Sequence, residues 1–560
     1  MRRPGVTFFK TLWLCGGLLL SPTYAQDVGK LLLLSFTGTE APVDRLELNP
    51  AGFIFFPSNL TTLEGTQALT RGLQREADYP LLLGIDGEGG VVSSFRVPGA
   101  TMFPGNPALG AAGSEPLARA VGRAVGAELA YAGLNLNFAP VVDVFSEPAN
   151  PIIGPRAFGA DPAAVGRLGA AVAEGLAASG VAAVAKHFPG HGGTAADSHR
   201  ELPVVTKSRG ELERLELRPF RALIGAGVPA VMSAHVVYTA LGDEPATVSR
   251  PVLTDLLRRD LGFRGVVISD ALNMRAITEH YGPGEAAVRS VQAGADLLLL
   301  VADERTQNEV YRALEEALGS GRLSAQRVRE ANRRVAQLAE RYRLQGPPRP
   351  DYAAHERLAR HVAAGGATLL WDGGALPIGA DDDVLVVAPQ PEGYGEAQHL
   401  GSVFKAVRGG VRSVVISEDP TAAEHAEALA KAETSDVVVL ATYHGFGGFP
   451  PGLRTLQAAL AATETPLVVV ALGRPDDADF FTVRPDAYAA VYGFRDANLE
   501  AARDLLLGLR SPTGRLPVPV AAFPVGFGQQ RLQPLSEQQA ARQNALSRAE
   551  SPSETGSSAP

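Results

Sequence analysis

The segment KHFPGHGGTAADSHRELP (186–203) contains three histidines, a lysine and an aspartate within eighteen residues. Its glycines and prolines exclude a helix face or a packed strand. His187 and His191 have the i, i+4 spacing of metal ligands on a helix, but Pro189 and Gly190 lie between them and prevent helical presentation. The sequence also contains no H-E-x-x-H motif, so a zinc site is disfavoured. Two interpretations of the segment remain, a catalytic loop and a solvated polar turn.

The tripeptide Asp197-Ser198-His199 has the composition of a serine-hydrolase triad. Adjacent residues cannot usually form that relay, and the chain has no G-x-S-x-G motif. Asp197 could instead orient His199 and stabilise its charged form, which would make the pair a general acid/base. For His199 taken alone, a solvated loop histidine is the competing interpretation.

Eight apolar runs alternate with helix-like segments between residues 28 and 345. Within each run the apolar residues are continuous, which is typical of parallel strands buried on both faces. The pattern predicts a (β/α)8 TIM barrel, with an open doubly wound sheet as the less favoured alternative because no dinucleotide fingerprint follows the first run. The runs are 31–36, 52–56, 80–86, 135–144, 181–188, 230–238, 264–270 and 296–301.

Polar residues stand where these runs end, at the barrel face on which active sites lie. They are Asp86, Glu88, Asp143, Lys186, His187, His235 and Asp270. Asp270 ends the run GVVISD and could merely cap the following helix. It could also be a carboxylate nucleophile. Together with an acid/base group, that would be the apparatus of retaining glycoside hydrolysis, with a histidine in place of the usual second carboxyl.

The N-terminus has the pattern of a signal peptide over residues 1–25. Arg2, Arg3 and Lys10 precede an apolar stretch that is short for a membrane span. An uncleaved anchor is the alternative. Cys15, the only cysteine, lies inside this segment, so the mature chain would contain neither disulfide nor thiol. We therefore expect export to the periplasm, cell envelope or medium, with no stable membrane insertion after signal removal.

The rest of the chain divides by composition. Residues 26–345 form the predicted barrel, and the proline-rich residues 346–352 form a linker. Residues 353–526 carry about five further strand-like runs, which predict a smaller doubly wound α/β sandwich. Its GFGG (445–448) lacks the spacing of a nucleotide-binding loop. The polar residues 527–560 are expected to be a disordered tail.

Several motifs of the first domain resemble glycoside hydrolase family 3, specifically its NagZ-like β-N-acetylglucosaminidase branch, as a two-domain, exported member. The motifs are IDGEGG (85–90), TMFPGNPALGA (101–111), NFAPVVDVFSEPANPIIGPRAFG (137–159), KHFPGHGGTAADSH (186–199), MSAHVVY (232–238) and GFRGVVISDALNM (262–274). The second domain is similar, less specifically, to the C-terminal α/β sandwich of two-domain members.

The resemblance implies roles for individual residues. It implies that Asp270 is the nucleophile and that His199, held by Asp197, is the acid/base. Residues that contact the N-acetylglucosamine would be Asp86, Arg156, Lys186 and His187. Supporting residues would be His191, Asp143 and Met274. No metal or organic cofactor would be needed.

Three positions depart from the family pattern. Val91 and Ser94 stand where arginines are frequent, and Gly193 replaces a frequent aspartate. They leave the expected catalytic pair intact and bear on the details of sugar binding. The glycine-rich middle of the 186–199 segment is expected to let the chain swing.

The expected reaction is retaining release of terminal β-linked N-acetylglucosamine from peptidoglycan fragments or chitin oligomers. Alternatives are another family 3 activity, either β-glucosidase or phosphorolysis, and a non-catalytic glycan-binding envelope protein. The net charge of −9 and the lack of a basic tract argue against nucleic-acid binding. The sequence leaves the oligomeric state open.

Overall fold

A computed structural model describes residues 27–390, 399–521 and 523–530. The predicted signal peptide, 1–25, lies outside the described residues, as does most of the predicted tail, 531–560. Among the described residues, no helix is both long enough and apolar enough to cross a bilayer.

The first domain is built on eight parallel strands in the order β7-β6-β5-β4-β3-β2-β1-β8. They are β1 (Leu32–Leu34), β2 (Gly52–Phe55), β3 (Leu82–Ile85), β4 (Leu136–Asn137), β5 (Ala182–Phe188), β6 (Ala230–Ser233), β7 (Val266–Ile268) and β8 (Leu298–Leu300). A parallel bridge between Ile268 and Leu297 joins the two ends of the sheet. The predicted TIM barrel is confirmed, and each strand lies within one of the eight apolar runs.

Helices surround this barrel. They are α1 (Leu63–Glu76), α2 (Asn106–Ala112), α3 (Glu115–Tyr131), α4 (Pro162–Ala178), α5 (Arg209–Arg214), α6 (Leu217–Gly225), α7 (Arg275–Thr278), α8 (Pro283–Ala293), α9 (Glu304–Gly319) and α10 (Ala325–Arg341), with a π-type helix at Pro251–Asp260. The start of α4 follows from its sequence. Asp161 accepts hydrogen bonds from the backbone amides of Ala163 and Ala164, and Pro162 occupies the first helical position.

The strands are mainly apolar because they separate two buried layers. Leu33 belongs to a cluster inside the barrel, whereas its neighbours Leu32 and Leu34 belong to the layer between strands and helices. Side chains alternate across a strand, so a strand buried on both faces needs apolar residues at every position.

The second domain contains a six-stranded sheet in the order β9-β14-β13-β12-β10-β11. The strands are β9 (Thr368–Asp372), β10 (Val384–Pro389), β11 (Val411–Ile416), β12 (Val437–Thr442), β13 (Leu467–Ala471) and β14 (Ala487–Ala490). Its helices are α11 (Tyr352–Gly366), α12 (Leu400–Lys405), α13 (Ala422–Ala432), α14 (Pro451–Ala461) and α15 (Asp496–Leu506). The five predicted strands are present. The sixth, β9, is an edge strand that runs antiparallel to β14 and contains a bulge, so its local pattern is weak.

Residues 527–530, which the sequence assigns to the tail, form hydrogen bonds with the second domain. The backbone N–H of Gln529 donates to the Leu369 carbonyl at 2.9 Å, which ties the segment to β9. The Phe527 carbonyl accepts from the N–H of Leu516 at 2.8 Å. These backbone pairs place the segment on the second domain despite its mixed composition.

Candidate active site

The barrel mouth contains a cavity of about 560 Å³ that collects nearly all the predicted site residues. Those that line it are Asp86, Arg156, Lys186, His187, His191, Asp197, His199, Asp270 and Met274. The tenth, Asp143, is fully buried beside the cavity, where it bonds to His187. Residues from four strand ends and their loops, those of β3, β4, β5 and β7, therefore share one site, as the barrel prediction requires.

Two carboxylates and two cations form the polar wall of the cavity. The Lys186 Nζ lies 2.7 Å from an oxygen of Asp86 and 2.7 Å from an oxygen of Glu88. Arg156 donates to both oxygens of Glu88, at 2.9 and 2.7 Å. The Glu88 side chain is 2% exposed and that of Asp86 is 27% exposed. Glu88 therefore holds the two cations in place, while Asp86 is the carboxylate that is open to the cavity.

The ion pairs of this network keep Glu88 and Lys186 in their charged forms. Burial alone would raise the pKa of Glu88, but Arg156 and Lys186 outweigh it and lower the pKa to about 2. Burial would lower the pKa of Lys186, but Asp86 and Glu88 raise it above its ordinary value. Sequence reasoning noted Glu88 at a strand end and gave it no role. Its only local indication was a second carboxylate two residues after Asp86.

Replacing Glu88 with glutamine is expected to change how stability depends on pH. The folded pKa of Glu88, about 2, is below its ordinary 4.5, so the carboxylate stabilises the fold above pH 4.5. That contribution is lost as the pH falls from 4.5 towards 2, at no more than about 1.4 kcal/mol per pKa unit. Glu88→Gln should therefore lower the free energy of unfolding at neutral pH and flatten its decline in acid.

Urea unfolding of both proteins between pH 7 and pH 3 measures this difference. Glu174→Gln is the matched control, because Glu174 pairs with Arg119 on the surface. The control should retain the wild-type slope. If Glu88→Gln also retains it, the carboxylate does not have the lowered pKa.

Asp143 fixes the start of the loop that follows β5. One oxygen lies 2.7 Å from the His187 Nδ1, and the other accepts from the backbone amides of His187 and His191 at 3.1 and 2.6 Å. Burial lowers the pKa of His187 well below its ordinary value, with Arg156 adding to the effect. The neutral imidazole donates from Nδ1 to Asp143, so its Nε2 is an acceptor at the cavity.

Two side-chain contacts hold the far end of the loop. The His191 Nε2 lies 2.9 Å from the hydroxyl of Ser198, which is buried. The His199 Nδ1 lies 2.8 Å from Asp197, and its ring is 57% exposed. Burial would raise the pKa of Asp197, but hydrogen bonds from the His199 amide and ring lower it. The charged Asp197 favours the tautomer that donates from Nδ1, which leaves the His199 Nε2 available for proton transfer.

The glycines of this loop are packed, contrary to the expectation that they let it swing. A Cβ on Gly192 would lie 1.9 Å from the Val144 carbonyl oxygen. A Cβ on Gly190 would lie 2.7 Å from the Cβ of Glu216. At these two positions glycine permits a close approach that fixes the base of the loop.

Asp270 follows β7 and accepts a 2.8 Å hydrogen bond from the backbone N–H of Ala271. Burial would raise its pKa, but His235, His187 and this N–H outweigh it and lower the pKa below the ordinary value. The carboxylate is thus ionised at neutral pH. The alternative role as a helix cap is wrong, because α7 begins at Arg275.

His235 supports the turn that carries Asp270. Its Nε2 donates to the Ala271 carbonyl at 3.0 Å, and its Nδ1 lies 2.8 Å from the Thr247 hydroxyl. The sequence predicts His235 near a strand end but indicates no role for it. Its support of this turn depends on a contact between its ring and the Ala271 backbone, which the residue pattern does not reveal.

Several hydrogen bonds join the second domain to the barrel loops that border the cavity. Arg495 donates to the Gly90 carbonyl at 2.6 Å, and Arg474 donates to the Pro148 carbonyl at 2.9 Å. The N–H of Gly447 donates to the Pro151 carbonyl at 3.2 Å. The adjacent Phe446 lines the cavity. The second domain therefore braces the loops after β3 and β4 and completes the cavity wall, a contribution that sequence reasoning did not assign.

Among the described residues, no group of three or more histidine, cysteine, aspartate or glutamate side chains is arranged to hold a metal ion. The two histidines nearest the loop base are each engaged. His187 bonds to Asp143, and His191 bonds to Ser198.

Residues 25–338 match the family described as "Glycosyl hydrolase family 3 N terminal domain". The chain belongs to glycoside hydrolase family 3. The predicted family is thus confirmed by a match that spans the whole barrel and includes each residue of the predicted site.

Two curated relatives and one solved structure resemble this family 3 chain. A beta-hexosaminidase from Nitrosomonas eutropha is 35% identical over 56% of this chain and 93% of the relative. Beta-hexosaminidase A from Pseudoalteromonas piscicida is 34% identical over 58% of this chain, and the match spans only 60% of that longer protein. A family 3 beta-N-acetylglucosaminidase from Paenibacillus sp. aligns over 90% of this chain and 99% of its own, with 36% identity and a TM-score of 0.85. The last alignment includes both domains.

Proposed function

We propose that this family 3 enzyme is a β-N-acetylhexosaminidase that hydrolyses terminal β-linked N-acetylglucosamine with retention of configuration. One observation carries the proposal: an ionised, partly buried Asp270 and the Asp197–His199 pair line the same cavity. A carboxylate nucleophile and a proton-transfer group facing one sugar site are what a two-step glycosidase needs. The relatives named beta-hexosaminidase and beta-N-acetylglucosaminidase support this enzyme class.

In the first step, the Asp270 carboxylate attacks the anomeric carbon and forms a glycosyl ester. The bond to the leaving oxygen breaks as the His199 Nε2–H protonates that oxygen, and the aglycone departs. Asp197 stabilises the imidazolium that exists before this transfer. In the second step, the neutral Nε2 takes a proton from water while the water oxygen attacks the anomeric carbon. Asp270 leaves as a carboxylate, and the sugar is released with its original configuration.

The polar wall is proposed to hold the sugar during both steps. Asp86 and Lys186 would bind hydroxyl groups, since a carboxylate and an ammonium together supply acceptors and donors. Arg156 and the His187 Nε2, 3.5 Å apart, would contact the same ring. These groups are fixed by Glu88 and Asp143, so binding does not have to order them.

We further propose that the enzyme is exported and acts on peptidoglycan fragments or chitin oligomers. The basic residues before a short apolar stretch support export. Both substrate classes carry terminal β-linked N-acetylglucosamine and occur outside the cytoplasm.

The purified protein is expected to release nitrophenol from the β-N-acetylglucosaminide at least about 10-fold more efficiently than from the β-glucoside. NMR of the first product should show the β-anomer. The Asp270→Ala protein, prepared in parallel, controls for contaminating activity. A preference for the glucoside would contradict the substrate assignment. Formation of a sugar 1-phosphate in phosphate buffer would show that the enzyme catalyses phosphorolysis rather than hydrolysis.

A further inference from the structure

Phe446 is an unusual surface residue. It is 51% exposed and is the only exposed phenylalanine among the described residues. It also lines the catalytic cavity, although it belongs to the second domain. Ligand cavities are lined mainly by apolar and aromatic side chains, so its place in the cavity lining makes Phe446 a candidate contact for a ligand.

The turn that carries Phe446 is anchored on both sides. The His444 Nε2 donates to the Gly447 carbonyl at 2.8 Å, within the second domain. The Gly447 N–H donates to the Pro151 carbonyl at 3.2 Å, on the barrel. Gly447 itself has a φ of +86°, a conformation that glycine adopts without strain. These contacts hold the phenyl ring at the cavity and prevent it from folding onto the core.

The His444 ring is itself fixed by aromatic neighbours. Its centroid lies 5.7 Å from that of Phe449 and 5.6 Å from that of Phe480, both in edge-on geometry. A buried histidine, His444, therefore holds the turn that positions the exposed ring of Phe446. Packing of this kind serves to preorganise a binding surface.

Phe446 lies at the side of the cavity where the leaving group would be bound. The groups proposed to hold the terminal sugar, such as Asp86 and Lys186, lie at the strand ends. Phe446 and His199 belong to loops that form the rim. His199 must reach the glycosidic oxygen in order to protonate it. The bound aglycone, which is attached to that oxygen, therefore extends along this rim.

We infer that Phe446, together with Pro151 and Ile152, forms a binding subsite for a hexopyranose aglycone. All three side chains line the cavity and present an apolar surface. The C–H face of a pyranose ring is apolar and packs on such a surface, while its hydroxyls remain at the solvent. The inference rests on the proposed function and specifies its substrate: a saccharide at least two rings long.

The test compares two substrates that differ in the aglycone ring. They are N,N′-diacetylchitobiose and methyl β-N-acetylglucosaminide, both of which have a poor alkoxide leaving group. Phe446→Ala is expected to lower the ratio of their kcat/KM values, disaccharide over methyl glycoside, by about 10-fold. Phe446→Trp, which keeps an aromatic face, should retain the wild-type ratio.

Leu509→Ala is the matched control, because Leu509 is a 62% exposed apolar residue of the second domain that does not line the cavity. It should leave the ratio unchanged. An unchanged ratio in Phe446→Ala, whether both activities fall together or neither falls, would overturn the inference while leaving the proposed function intact. If the wild-type enzyme cleaves neither substrate, the proposed function fails instead.

Discussion

Replacing Asp270 with alanine is expected to lower kcat on N-acetylglucosaminides by a factor on the order of 10⁴ or more. The reason is that the variant lacks the oxygen that would form the bond to the anomeric carbon. The substrate pocket should persist, because Asp86, Lys186 and Glu88 are positioned independently of Asp270. The measurement is steady-state kinetics with nitrophenyl β-N-acetylglucosaminide.

Azide separates loss of the nucleophile from loss of the fold. In Asp270→Ala, azide can enter the vacated space and attack the anomeric carbon, giving the α-glycosyl azide with restored turnover. Asp381→Ala removes an exposed carboxylate of the second domain and should behave as wild type. Wild-type kcat in Asp270→Ala would remove Asp270 from the mechanism.

Replacing His199 with alanine is expected to affect substrates according to their leaving groups. A general acid contributes about 10²- to 10⁴-fold when the leaving oxygen is basic. We therefore expect a loss of that size in kcat/KM for diacetylchitobiose, and little loss for a dinitrophenyl glycoside, whose leaving group needs no proton. The ratio kcat/KM is the suitable measure because it excludes the second step, in which His199 acts as base.

His361→Ala is the control for this prediction, since His361 is an exposed histidine on α11. It should leave both substrates unaffected. An equal fractional loss on both substrates in His199→Ala would show that the histidine acts by shaping the loop rather than by donating a proton.

The sequence was sufficient for the barrel because its strands are buried on both faces. Continuous runs such as VAAVAKHF predict a strand without reference to any partner, and Lys186 and His187 end that strand at the expected barrel face. The clustering of Asp86, Lys186 and Asp270 then follows from topology, since parallel strands present their carboxyl ends together.

The pairing of the charged side chains in the site could not be predicted in the same way. Glu88 stands near Asp86 in sequence, but its importance comes from Arg156 and Lys186, which lie 68 and 98 residues away. Burial of all three charges decides the pairing, and only the folded geometry determines that burial. Sequence reasoning also gave the loop glycines a hinge role, whereas Gly192 packs against the Val144 carbonyl.

The contribution of the second domain was the least predictable feature. GFGG (445–448) is a short loop whose composition gives no indication of a sugar site. Phe446 reaches the cavity because Gly447, Arg474 and Arg495 bind barrel loops that lie 296, 326 and 405 residues earlier in the chain. Contacts between residues so far apart in the sequence depend on how the two domains dock.

Trapping the covalent bond between Asp270 and the sugar would test the proposed mechanism at its first step. A 5-fluoro-N-acetylglucosaminyl fluoride reacts because fluoride leaves readily, but the ring fluorine slows the second step by destabilising its oxocarbenium-like transition state. Mass spectrometry of the digested protein should locate the sugar on the peptide that contains GVVISD, at Asp270. A label on another residue, or turnover without any labelled peptide and with an inverted product, would contradict the mechanism.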